Sequence, residues 1–165
     1  MKNYLFTVIV LSILLSVKNF SQDISSNNAV KENIDSTANL YLHSVSDNSK
    51  IPSDLIYPSS LQKVKEHMIS MALEYDSSGN TNAMMLLPAD SLRSMTPAQA
   101  WDYMSNIKDY MDTLKLNAEW HIKRIEIKND TAFVTYDVKG GEQKVMKLKK
   151  DENKWKVILS GKSIF

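Results

Sequence analysis

The chain has no cysteine. That excludes disulfides, thiolate metal sites and thiol nucleophiles, so stability must come from packing. Arginine is almost missing: Arg93 and Arg124 are the two among 20 basic residues. Bidentate phosphate recognition leans on arginine. No aromatic ladder interleaves the lysines either, so nucleic acid is not an expected partner. Glycine and proline are scarce, at four each. There is no glycine-rich phosphate loop, no His-Glu-x-x-His and no nucleophile elbow. The three histidines, His43, His67 and His121, lie far apart in sequence. They show no metal-ligand spacing, so neither a metal nor a cofactor is expected.

What is present starts with an apolar beginning. Lys2 supplies a positive end, and Leu5 to Val17 is apolar apart from Thr7, Ser12 and Ser16. The run is too short for a membrane span and fits the core of a secretory signal. Residues 1–21 therefore read as a signal peptide cut after Ser21, leaving no integral membrane segment. The expected location is secreted or periplasmic. Removing Lys2 and Lys18 leaves 18 basic residues against 19 acidic, a net of −1. No global charge then argues for a polyanion or an anionic membrane. The last stretch, 139–165, holds eight lysines against three acids and reads as the solvated outer face of a sheet.

The mature chain, 22–165, is long enough for one core and reads as one domain. Residues 22–28 form a polar leader. Val30, Ile34, Ala38, Tyr41 and Val45 recur at helical spacing and predict a helix from Asn28 to about Ser46. A second helix follows Pro58, with Ser59 and Gln62 as an expected capping box and Leu61, Val64, Met68, Met71 and Tyr75 as its apolar stripe. Ala83 to Leu87 is a short apolar run, either a buried strand or a helix fragment, with a strand before Pro88 the preferred reading. The third helix begins at Thr96-Pro97-Ala98-Gln99. Thr96 caps it, Gln99 completes a capping box, and Pro97 takes the first position, where its missing N–H costs nothing. Ala100, Trp101, Met104, Ile107, Met111 and Leu114 make its buried stripe, flanked by Tyr103 and Tyr110.

After about Leu116 the period changes to two. Trp120 and Ile122 share one face; Ile125 and Ile127 are out of step with them, which calls for a β-bulge near Lys123-Arg124. Asn129-Asp130, Gly140-Gly141 and Asp151-Glu152-Asn153 are turns. The intervening runs (Ala132, Val134, Tyr136, Val138; then 145–149; then Trp155, Val157, Leu159) complete a meander of four antiparallel strands. The fold class is α+β, with N-terminal helices packed on a curved antiparallel sheet of about four to five strands.

The bent strand Trp120–Ile127, the strand Ala132–Tyr136 and the close Leu148-x-Lys150-turn-Trp155-Lys156-Val157 resemble secreted members of the nuclear transport factor two-like superfamily. Met95–Trp101 is similar to a helix start seen in some of them. The resemblance covers about Ser60 to Leu159 and rests on structural motifs. It implies a cone with an open mouth, holding a small apolar ligand in some members and filled by side chains in others. A homodimer through the sheet is a further implication.

Three readings of function follow. Seven of nine methionines lie between Met68 and Met111. With the aromatics they make either ordinary core filling or an adaptable lining for an apolar ligand. The leading reading is an exported, non-catalytic binding or interaction module gripping a small apolar ligand with Trp101, Tyr103, Met104 and Trp120. The second is a lyase- or isomerase-like enzyme using Tyr103 with His67 or His121. The third is a structural envelope protein binding through its sheet, which calls for a filled core and an exposed apolar patch on the sheet.

Overall fold

The computed structural model describes residues 27–47, 49–78, 87–106, 119–138 and 142–160, of 75–78 the backbone alone. The signal expected over 1–21, the apolar residues 83–86, the positions Ile107, Met111 and Leu114 expected in the third helix, and the turn expected at Gly140-Gly141 lie outside them. The chain divides into two compact units, Met1–Asn33 and Ile34–Phe165. Of the first, residues 27–33 are described; they are helical and, Val30 apart, exposed.

The architecture is α+β. Helix α1 covers 27–46. A 3-10 turn at Ser53–Leu55 leads to α2 (Pro58–Ser78), α3 (Ala89–Ser94) and α4 (Pro97–Met104). Four strands follow: β1 (Trp120–Lys128), β2 (Thr131–Val138), β3 (Gln143–Asp151) and β4 (Lys154–Ile158). They form one antiparallel sheet in chain order, as a meander with short connections must. Among the described residues no helix is long and apolar enough to cross a membrane.

The helices bury the stripes their spacing dictates, with two shifts. In α1 the buried set is Ile34, Ala38, Leu42 and Val45; Leu42 takes the place expected for Tyr41, which stays half-buried. In α2 the set is Leu61, Val64, Met68 and Ala72, with Met71 at its margin. The expected capping box of α2 does not form. The helix starts earlier: the Tyr57 carbonyl accepts from the N–H groups of Ser60 and Leu61, which puts Pro58 at the first position, where proline is well suited. Ser59 is then inside the helix, and the Gln62 amide donates to Glu66 instead. Helix α3 is a feature the sequence reading did not anticipate. Pro88 precedes it, and the Lys65 ammonium caps its far end, donating to the carbonyls of Arg93 at 3.0 Å and Met95 at 2.5 Å.

The bulge in β1 is present. The register shifts between Ile122, paired with Tyr136, and Arg124, paired with Thr135. This returns Ile125 and Ile127 to the same side as Ile122, facing Val134 and Ala132. The two tight turns each contain a left-handed residue, Asn129 at φ 56° and Glu152 at φ 53°. Ala132, Val134, Tyr136, Met146, Leu148, Trp155 and Val157 are buried on the inward side. The outer side of β4 is tied down. Ile56 makes a parallel bridge with Val157. The Tyr57 N–H donates to the Val157 carbonyl at 2.8 Å, and the buried Ser60 hydroxyl accepts from the Leu159 N–H at 3.2 Å. These bonds anchor the start of α2 to the last strand.

Candidate functional site

The four residues expected to grip a ligand occupy two settings. Three belong to α4, whose start is set by a complete capping box. The Gln99 N–H donates to Thr96 Oγ1 at 3.2 Å, and the Thr96 N–H donates to Gln99 Oε1 at 2.8 Å. Two orphan donors are thereby satisfied, and the rotation of the helix is fixed. Ala100, Trp101 and Met104 then turn inward and are buried. Trp101 is 1% exposed, and its indole N–H donates to the Ile51 carbonyl at 2.7 Å. On the other side of the same helix turn, Asp102 pairs with Lys50 at 3.3 Å. Tyr103 is half-buried on the flank.

Trp120 stands at the start of β1, against α1. Its indole N–H donates to Asn39 Oδ1 at 3.3 Å, and the His43 ring meets it edge-on with centroids 5.3 Å apart. The Asn39 amide donates to Asp35 at 3.0 Å, and the His43 ring lies 3.2 Å from the Asp47 carboxylate. Asp35, Asn39, His43 and Asp47 recur every four residues, so one helix edge holds the indole in a polar ladder. Trp120 stays half-exposed, as do Ile122, Ile125 and Ile127 along the inward row of β1.

The acid–base candidates are spread over three elements. His67 is half-buried in α2, and burial holds its imidazole below the ordinary value of 6.5. His121 is exposed on the outward side of β1, opposite Asp137 across the strand pair. Asp137 is itself paired with Lys123 at 3.2 Å and accepts from Gln143 at 3.3 Å. Tyr136 is buried on the inward side; burial and then the Glu142 charge push its hydroxyl above 10.0. Among the described residues no group of three His, Asp or Glu side chains is placed to hold a metal.

The outward side of the sheet carries a feature the sequence reading passed over. Phe133 alternates away from the buried Ala132 and Val134, so it stands on the solvent side in the second strand. Two ammoniums sit over its ring: Lys128 from β1 and Lys147 from β3, each 5.8 Å from the centroid. Cations at that range are attracted to the ring's negative face. Val145, diagonal to Phe133 on β3, is 61% exposed. The neighbouring cations are mostly neutralised. Lys123 pairs with Asp137, Arg124 with Glu126 at 2.8 Å, and Lys156 with Asp151 at 2.7 Å. Lys149 lies 3.7 Å from Asp130 and 5.3 Å from the Tyr57 ring centroid. Its neighbours Tyr57 and, after it, the Asp130 carboxylate favour the ammonium form and hold it above the ordinary lysine value of 10.5. Lys128 and Lys147 have no carboxylate partner among the described residues. The signal for this patch was an aromatic out of phase with its strand's apolar set.

No family model matches the chain, and neither a curated protein nor a solved structure matches it.

Proposed function

We propose that the chain is an exported, non-catalytic interaction module that works through the outward face of its sheet. The observation that carries this is the Phe133 ring held between two ammoniums, with Val145 exposed beside it. Large apolar side chains on a solvated sheet face are costly to leave in water and gain by being covered. The helices-then-meander order and the bulged first strand support the nuclear transport factor two-like reading, and the apolar start of the chain supports export.

A photoreactive benzoyl-phenylalanine in place of Val145, tested in the native host, checks the reading. The same group placed at the exposed Leu40 of α1 or Leu73 of α2 serves as control. Adducts at the Val145 position and not at the helical positions are expected. Adducts from the helices alone, or none, would sink it.

A second reading keeps a small apolar ligand. It is favoured by Trp120, Ile122, Ile125 and Ile127, which stay half-exposed, the last two while their cross-strand partners Val134 and Ala132 are fully buried. A ligand along that row would cover them. This reading involves the opposite side of the sheet, so the Val145 probe separates the two.

A further inference from the structure

The outward sheet face specifies its partner more narrowly than an exposed patch would. The charge is unevenly divided along the sequence: 119–165 carries 11 Lys and Arg against seven Asp and Glu, while 22–118 carries seven against 12. The sheet half is therefore basic, and its complement is acidic. A dense polyanion, however, needs a continuous cationic field. Here Lys123, Arg124, Lys149 and Lys156 are already matched by carboxylates on the same half. Each of those carboxylates would repel a neighbouring phosphate or sulfate, and Glu126, the direct β1 partner of Phe133, would repel any carboxylate that is not seated on Lys128 or Lys147. Four described lysines of the sheet, Lys128, Lys147, Lys150 and Lys154, have no carboxylate partner among the described residues, and two of them, Lys128 and Lys147, flank one aromatic ring.

The geometry of that trio is directional. Phe133 is on β2, Lys128 reaches it from β1 and Lys147 from β3, so the ammoniums lie on either side of the ring across the strands. Lys147 is the direct cross-strand partner of Phe133, and Lys128 is diagonal to it. Each ammonium is displaced 5.8 Å from the ring centroid. In an extended chain, residues two apart point to the same side and lie about 6.6 Å apart. Neighbouring strands lie about 4.8 Å to either side of β2, so a carboxylate two residues before and another two residues after an apolar side chain come within reach of the two lysine side chains.

We infer that Lys128, Phe133 and Lys147 form a docking site for an extended peptide segment of acidic–x–apolar–x–acidic pattern, laid across the strands. Its central side chain stacks on Phe133 and reaches Val145, and its two carboxylates pair with the lysines. The inference rests on the interaction-module reading and names the chemistry of the partner.

The test is fluorescence anisotropy with the full chain and a labelled synthetic peptide centred on Asp-Gly-Phe-Gly-Asp, beside a twin in which both Asp are Asn. The acidic peptide is expected to bind, and to bind about tenfold more weakly to the Lys128→Gln/Lys147→Gln double variant, the scale of two exposed ion pairs. Lys147→Arg keeps the charge and should keep binding. Both substitutions are on the surface and leave the core intact, and circular dichroism verifies that. Equal binding of the Asn twin, or no effect of the double variant, would overturn the proposal. So would tighter binding to phosphatidylglycerol vesicles or to heparin, which would make the occupant a membrane or a polyanion. Sedimentation showing self-association lost in the double variant would make it a second copy. If the peptide fails while Val145 still yields adducts, the acidic partner falls and the interaction module stands. If Val145 yields none, both fall.

Discussion

The indole N–H of Trp101 donates to the carbonyl of Ile51 across 50 residues of sequence, at 2.7 Å, with both residues essentially buried. The bond joins α4 to the segment entering the 3-10 turn and closes that part of the core. Trp101→Phe keeps most of the apolar bulk but leaves a buried carbonyl without this donor. The expected loss is about 2–3 kcal/mol, from the unsatisfied acceptor and the smaller ring. Urea denaturation measures it. A loss below about 1 kcal/mol would mean that water reaches the Ile51 carbonyl, and so that this region is open.

The two left-handed turn residues should behave differently on replacement by glycine. Asn129, at φ 56°, has a short polar side chain that tolerates this region. Glu152, at φ 53°, does not have that advantage. Glu152→Gly removes steric strain in the folded turn, partly offset by a more flexible unfolded chain. A gain of about 0.5–1 kcal/mol is expected there, and a change near zero for Asn129→Gly. Thermal unfolding of the two variants side by side tests it. Equal shifts would contradict the strain assigned to Glu152.

Much of this architecture was legible in the sequence, because two local codes agree with the tertiary outcome. The capping box at Thr96 and the slipped alternation around Lys123 are written in short-range chemistry, and both appear in the structure. The misplaced features depend on longer range. The start of α2 moved to Pro58 because the Tyr57–Val157 and Ser60–Leu159 bonds pin the chain there, and no local pattern reveals a strand about 100 residues away. Leu42 replaced Tyr41 in the α1 stripe because both fit the helical period, and only packing decides between them. For the site, spacing placed Trp101 and Met104 on one helix face. It could not say that Trp120 would be held instead by Asn39 and His43 of α1. Phe133 was readable as out of phase, but its flanking lysines come from two other strands.

Stability should fall at alkaline pH through Tyr136. Burial, and then the Glu142 charge, raise its hydroxyl above the ordinary 10.0, so the folded state holds that proton more tightly than the unfolded chain. The contribution is complete below pH 10.0 and is lost as pH rises through the folded value. Lys149 acts in the same direction from 10.5 upward. The urea midpoint is therefore expected to stay level up to pH 9.5, roughly, and to drop beyond it. Tyr136→Phe should remove part of the drop. An unchanged alkaline limb in that variant would assign the loss to other groups.

The half-open setting of Trp120 can be separated from the closed settings of Trp101 and Trp155 by quenching. Trp101 and Trp155 are 1% and 6% exposed, whereas Trp120 is partly open between Asn39 and His43. Acrylamide should therefore reach mainly Trp120, and Trp120→Phe should flatten the quenching slope of the whole chain. The same variant tests the apolar-ligand reading. If a ligand lies along Ile122, Ile125 and Ile127, Nile red should bind there and accept energy from Trp120 at close range. Trp120→Phe would then lose most of the transfer, and Lys128→Gln/Lys147→Gln, on the other side of the sheet, would leave it unchanged. Absence of dye binding in the wild-type chain would sink the apolar-ligand reading. The half-exposed isoleucines would then be an edge-strand feature, and the outward face would stand alone as the binding surface.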